Sequence, residues 1–236
     1  MDIGSTSTRM GLYTESGRDI TIQCPEKSRG KFEAGDFSSS CYLWDNKKPY
    51  YIGNKLDKTR IATSIKPFIL LLSEADPGTV ESLISEYPDG EKLLEERDDK
   101  SPRDRNNKTS RGRNSNTFMT RMENTLKDFF ASLRQYIVKA CDDEKLHVTA
   151  VGFAIPGQWP LEVQDFLTDF ALRTLLKEPS HISVTGDDIW YPSETQALGH
   201  YLFKHRAKAL KMPKSNSSTY LLADFGGQNL VSPIAR

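Results

Sequence analysis

A chain of 236 residues with 32 basic and 32 acidic side chains carries no formal net charge, so no global field draws it to nucleic acid or an anionic membrane. Hydrophobic residues at 37% and charged residues at 27% exclude a disordered composition and leave room for one large domain or two small ones. The longest apolar run, residues 67–72, is far too short to span a bilayer.

Residues 1–14 are predicted as a hairpin, with a strand end at Asp2-Ile3, a turn of small residues from Gly4 to Ser7, and a strand over 9–13. Polar and apolar residues alternate over 19–24, which predicts another short strand. Tyr50-Tyr51-Ile52-Gly53-Asn54 predicts one more, and Lys66 then stands directly ahead of the apolar run. Over 86–116 the composition changes sharply. Residues 91–100 are charged and 101–116 hold almost no apolar side chain, so 88–116 is predicted as an exposed, disordered loop inside the domain. Its Arg103, Arg105, Lys108, Arg111 and Arg113 lack interleaved aromatics that could stack on bases, which favours a solvated loop over a nucleic-acid patch.

Helical periodicity follows, with Phe118, Met122, Leu126, Phe129, Phe130, Leu133 and Ile137 forming one apolar stripe. Residues 147–155 read as a buried strand stopped by Pro156-Gly157. Val163, Phe166, Leu167, Phe170 and Leu175 mark a second amphipathic helix that Pro179 is expected to end. A short strand at 182–184 and a third helix over 194–210 come next, with Ala197, Leu198, Tyr201 and Leu202 on the helix's predicted inner side. The last predicted strand, 219–224, runs into Phe225-Gly226-Gly227. Alternating strands and helices indicate an α/β fold with a mixed central sheet flanked by helices. Cys24, Cys41 and Cys141 lack C-x-x-C spacing and are expected as free thiols. With nothing like a signal peptide at the N-terminus, the chain is expected to be cytoplasmic or nuclear.

Two elements share a pattern: Asp2-Ile3-Gly4-Ser5-Thr6-Ser7, and Asp224-Phe225-Gly226-Gly227-Gln228-Asn229. In each, a strand ends in an aspartate and a turn of small residues follows. Backbone N–H groups of such a turn can converge on phosphate oxygens because no Cβ blocks the approach. The adjacent carboxylate can hold a hydrated magnesium ion, a hard cation that prefers oxygen. Singly, each element is also a common turn start. A lone Lys66 is most often a solvated cation, and Glu194 could serve only to begin a helix.

As an ordered pair the two elements resemble the phosphate motifs of the actin, hexokinase and heat-shock ATPase superfamily. Three further segments resemble the seventy-kilodalton heat-shock family: Val151-Gly152-Phe153-Ala154-Ile155-Pro156 with Trp159 after it, Tyr191-Pro192-Ser193-Glu194-Thr195-Gln196-Ala197-Leu198, and Lys66 where the family keeps its catalytic lysine. The tryptophan and the degenerate motifs resemble the divergent heat-shock-like proteins of filamentous fungi. The resemblance implies an actin-like (ribonuclease H-like) ATPase, its first lobe spanning 1–210 and its second lobe starting at 211–236. It implies ATP or ADP and magnesium as ligands, and client proteins or co-chaperones as partners of a full-length protein. It further implies phosphate binding by Gly4, Ser5, Thr6, Gly226 and Gly227, and catalysis by Lys66, Glu194 and Asp224. Asp2 and Asp224 would hold magnesium through water, and Pro156 would lie on the switch that couples nucleotide to lobe closure.

The chain departs from the family pattern in several places. Only Met1 precedes Asp2, Gln164 stands where the switch would place an arginine, and Gln228-Asn229 replace a glycine and a threonine. The chain ends at Arg236, just past the second turn. The adenosine motif and any substrate-binding domain are therefore expected to be missing, and residues 229–236 read as a departure from strand-like sequence. These departures leave two alternatives beside an ATPase. One is a non-catalytic interaction protein that kept the fold. The other is a small-molecule kinase of the same superfamily, for which Asp36 and Asp57 are available but lie in no recognisable motif.

Overall fold

A computed structural model describes residues 1–4, 7–23, 36–38, 40–42, 62–87, 90–98, 111–203, 220–221, 224–225, 230–231 and 234–235. The expected N-terminal hairpin forms from β1 (Asp2–Ile3) and β2 (Ser7–Tyr13), antiparallel, with Asp2 opposite Arg9. Along β2, Thr8 and Met10 are buried while Arg9, Gly11 and Tyr13 face out, the two-residue period of a half-buried strand. β3 (Asp19–Ile22) returns antiparallel beside β2. Gly17, at φ +84°, closes the tight turn between them, a backbone conformation that L side chains rarely adopt. Residues 8 and 9 of β2 pair with both β1 and β4 (Asp36–Ser38), so those two strands take opposite edges of β2. β5 (Ser40–Tyr42) and β6 (Ala62–Ser64) form a separate antiparallel pair. The strand expected at 50–54 lies outside the described residues.

β1 continues the sheet in the parallel sense. The carbonyl of Met1 accepts a hydrogen bond from Ala154 N at 2.8 Å, and Asp2 bridges Ala154. The segment expected as one strand over 147–155 pairs intermittently, at Val148, at β7 (Val151–Gly152) and at Ala154 and Ile155. Its other edge faces β8 (Ile189–Trp190), again parallel, with Phe153 N donating to Trp190 O at 2.8 Å and Ile155 bridging Ser193. The expected strand at 182–184 is reduced to the single bridge Val148–Ile182. Across the molecule the order is therefore β3, β2, β1, the 148–155 segment, then the 182–193 segment. The first two steps are antiparallel and the last two parallel.

Among the described residues, six α-helices pack on this frame. α1 (Lys66–Leu72) is apolar all round and buried from Lys66 to Leu71, as a helix surrounded by other elements must be. α2 (Pro77–Ser85) starts at Asp76, whose carboxylate accepts from Thr79 N at 2.9 Å. α3 (Gly90–Asp98) occupies the charged run that the sequence assigned to an exposed loop. Leu93 is fully buried, and helix formation is what carries that apolar side chain inward while Glu91, Lys92 and Glu95 stay in water. α4 (Arg111–Glu144) likewise begins inside the predicted loop, of which 88–89 and 99–110 lie outside the described residues. The stripe of α4 is buried as expected from Phe118 to Ile137, and Cys141 extends it as a free thiol. α5 (Leu161–Thr174) packs on α4 through Phe170, which lies 5.8 Å from the Phe130 ring. It ends five residues before Pro179. Leu175 and Leu176 both turn inward there, their amides bonded to Ala171 O.

α6 (Glu194–Tyr201) presents a different face from the one predicted. Its fully buried positions are Thr195 and Gly199, whereas Tyr201 is 46% exposed. The capping box between Ser193 and Gln196 fixes where the helix starts. The face that turns Glu194 inward also holds Thr195, Leu198 and Gly199 at adjacent turns, which sends Tyr201 outward. At the C-terminal end, β9 (Tyr220–Leu221), β10 (Asp224–Phe225), β11 (Leu230–Val231) and β12 (Ile234–Ala235) replace the single predicted strand. β9 pairs with β12 and β10 with β11 in one continuous antiparallel register, so residues expected to depart from strand structure supply the return strand. Among the described residues, no helix is long and apolar enough to cross a membrane.

Candidate functional site

Three chain segments run parallel and end side by side: β1 at Ile3, the 148–155 segment at Pro156, and the 189–193 segment at Ser193. In open α/β sheets such carboxyl ends border the crevice where ligands bind, because loops and helix starts diverge there. Backbone bonds hold the junction rigidly. Ile155 N donates to Pro192 O at 3.2 Å, and Glu194 N donates to Ile155 O at 3.0 Å. Glu194 is thereby the first residue of α6 and an extension of the sheet ladder at once. Pro156, buried, turns the chain away one residue beyond the bridge.

Lys66 enters from the start of α1, where its amide donates to Ser64 Oγ at 3.3 Å. The residue is 4% exposed, and its Nζ donates to Glu194 Oε1 at 2.7 Å, across 128 residues of sequence. A lysine buried this deeply needs a partner, since desolvating an unpaired ammonium costs several kcal/mol. Asp2 completes the cluster. Burial raises its carboxyl above the ordinary value of 3.8, Lys66 pulls it back down, and Glu194 pushes it up again. Asp2, Lys66 and Glu194 thus share one electrostatic site, in which the N-terminal ammonium and Arg9 also act on Asp2.

The raised Asp2 carboxyl has a definite pH signature. Above pH 3.8 the unfolded chain releases this proton more readily than the folded one, so folding stability falls as pH rises from 3.8 through the folded-state value. Asp2→Asn is therefore expected to leave stability unchanged near pH 3 and to raise it at pH 7. Urea titrations at the two pH values check this, and a variant less stable at pH 7 refutes it.

Gly4 follows β1 directly. A Cβ built there would stand 2.5 Å from Ser7 O, a backbone atom that cannot swing away. Gly4→Ala is expected to cost about 1–3 kcal/mol through forced movement of the turn. The loss would appear as faster amide exchange across β1 and β2 than elsewhere in the chain; uniform exchange would contradict a local origin.

The second aspartate hairpin repeats the strand register of the first. Asp2 pairs with Arg9 and Ile3 with Thr8, while Asp224 pairs with Val231 and Phe225 with Leu230. In both hairpins the aspartate faces a residue seven positions later, and four residues join the paired strands. Asp224 is described only as backbone in β10. Ser5, Thr6, Gly226, Gly227, Gln228 and Asn229 lie outside the described residues. Asp36, raised for the kinase alternative, pairs with Arg9 in β4, and Asp57 lies outside.

Two aromatic residues beside the cluster carried no sequence signal of this role. Tyr87 is 7% exposed and Trp159 5%. Burial raises the Tyr87 hydroxyl well above its ordinary value; the facing Trp159 indole offsets part of this, and the Glu194 carboxylate adds to it. Their approach falls short of hydrogen-bond geometry, and among the described residues Trp159 Nε1 is a buried donor without a partner. Tyr87 continues the buried series Val80, Leu83 and Ile84 at helical spacing, a signal that marks an inward position but not a neighbour of the cluster.

No family model, curated protein or solved structure matches this chain.

Proposed function

We propose that the chain is a nucleotide-binding lobe of the actin-like ATPase type, akin to the seventy-kilodalton heat-shock chaperones. The observation that carries this reading is the convergence of Asp2, Lys66 and Glu194 at the carboxyl ends of three parallel strands. The strand order, antiparallel then parallel about β1, and the matching registers of the two aspartate hairpins support it further.

The cluster suits a magnesium–nucleotide ligand chemically. Asp2 is a carboxylate that burial makes costly to ionise, and a nearby divalent cation would relieve that cost. Lys66 has three N–H donors and spends one on Glu194, leaving two for phosphate oxygens. The hydrated metal ion would supply charge neutralisation across the phosphates. In this reading Asp2 holds a metal-bound water, Lys66 grips the terminal phosphate, and Glu194 orients Lys66 and accepts a hydrogen bond from the attacking water. Gly4, Ser5 and Thr6 border the phosphates, Asp224, Gly226 and Gly227 form the opposite jaw, and Pro156 couples the site to the sheet. A cytoplasmic or nuclear setting, with client proteins and co-chaperones as partners, belongs to the same proposal.

Calorimetric titration of the full chain with ATP and magnesium tests it. Saturable binding is expected, abolished by omitting magnesium and weakened at least tenfold in Lys66→Ala. Absence of heat with folded protein, or binding indifferent to Lys66, would sink the reading.

A further inference from the structure

We propose that the groove between α4 and α5 docks an acidic polypeptide segment of a partner protein, independently of any nucleotide. The groove, about 380 Å³, is lined by Lys127, Ala131, Arg134, Phe170, Arg173, Thr174 and Lys177. Four of these seven are cations and none is acidic, in a chain whose formal charges cancel.

The helices place these residues by spacing. Lys127, Ala131 and Arg134 lie four and three positions apart on one face of α4, while Phe170, Arg173 and Thr174 share one face of α5. Lys177 stands just past the end of α5. The α4 wall runs seven residues, about 10 Å at the helical rise, which matches three or four residues of an extended segment.

Two of the cations are held in place. Arg134 Nη1 donates to Thr174 O at 3.1 Å and to Lys177 O at 3.4 Å, tying the end of α5 to α4. Arg173 Nε donates to Asp169 O at 3.1 Å, with its guanidinium 5.8 Å from the Phe170 ring. Ordering these arginines beforehand lowers the entropic cost of engaging carboxylates. Lys127, Arg173 and Lys177 are exposed along the rim. Lys127 pairs with Glu123 on the solvent side, an exposed i,i+4 contact worth little and easily exchanged.

The floor distinguishes between anions. Phe170 is only 1% exposed, so its face cannot serve as a stacking platform for bases. Cations spread over about 10 Å do not converge on one phosphate, but they do match carboxylates at successive positions of a peptide. The occupant is therefore a segment rich in Asp and Glu, with a small apolar residue between them for the Ala131 side of the groove.

Fluorescence anisotropy with the full chain tests the assignment, using a labelled 12-residue peptide of Glu, Asp and Ala and its Gln/Asn counterpart. The acidic peptide is expected to bind, to weaken as salt rises, and to lose at least tenfold in affinity with Lys127→Glu/Lys177→Glu. Lys127→Ala/Lys177→Ala is expected to show a smaller loss in the same direction, which keeps the test valid should the charge reversal unfold the chain. Equal binding of the neutral peptide, no binding, or indifference to both variants would overturn the proposal. So would tighter binding of a 12-nucleotide single-stranded DNA that the same variants abolish.

Discussion

Lys66→Ala is expected to destabilise the chain by about 3 kcal/mol, the lower end of what breaking a buried ion pair costs. Lys66 is almost wholly enclosed, while the Glu194 side chain retains 21% exposure, and that access to water screens the charge left behind. Two carboxylates, Asp2 and Glu194, would then share a partly desolvated site in which only the N-terminal ammonium and Arg9, weaker influences on Asp2 than Lys66, remain as cations. The lost packing of the lysine stem adds to the penalty. Glu194→Gln is expected to cost less, because Lys66 keeps Asp2 as a counter-charge and the amide oxygen can still accept its hydrogen bond. Lys66→Met with Glu194→Gln together should recover much of the loss, since a thioether chain fills the same space without a charge to desolvate. Urea midpoints of the unmodified protein, Lys66→Met, Glu194→Gln and the double variant form a double-mutant cycle. Single-variant losses that simply add would show that the two side chains do not act as a pair.

Phe130→Ala is expected to cost about 3–5 kcal/mol, the range for deleting a buried aromatic side chain. Phe130 is fully buried, 5.4 Å from the Phe129 ring and 5.8 Å from that of Phe170, so the cavity would open where α4 and α5 meet. α4 touches α1, α3 and α5, which leaves little room for collapse into the void. By contrast, Tyr201→Ala should fall within about 0.5 kcal/mol of the unmodified protein, as exposed substitutions generally do. That pair of measurements also tests the orientation of α6, since a Tyr201 facing the core would cost several times more. A thermal shift of similar size for both substitutions would contradict the packing described above.

Much of the architecture was legible because the relevant signals are local. The stripe of α4, the inward positions of α5 and the hairpins around β1, β2 and β3 follow from three-to-four-residue or two-residue spacing. α3 was not, because a single leucine pair, Leu93 and Leu94, is too little apolar signal to mark a helix in a charged run. Residues 147–155 carried a strong strand signal yet pair only at intervals, since a ladder depends on partners from distant segments that local pattern does not record. The inner face of α6 was misread for the same reason: long-range demand from Lys66 on Glu194 turns the helix, and Tyr201 follows outward.

The candidate site divides along the same line. Asp2, Lys66 and Glu194 were nominated through the resemblance to the heat-shock ATPase family, because taken singly each reads as a turn start, a solvated cation or a helix start. Their meeting, the burial of Lys66, the raised carboxyl of Asp2 and the arrival of Tyr87 and Trp159 beside them were decided by tertiary structure. Sequence by itself determined which segments would fold as amphipathic helices and hairpins, since backbone geometry and side-chain period act within a few residues. Only the packed sheet could set the charges against one another, because Coulombic coupling and desolvation depend on distance and burial, and residues 128 apart in sequence stand 2.7 Å apart in space.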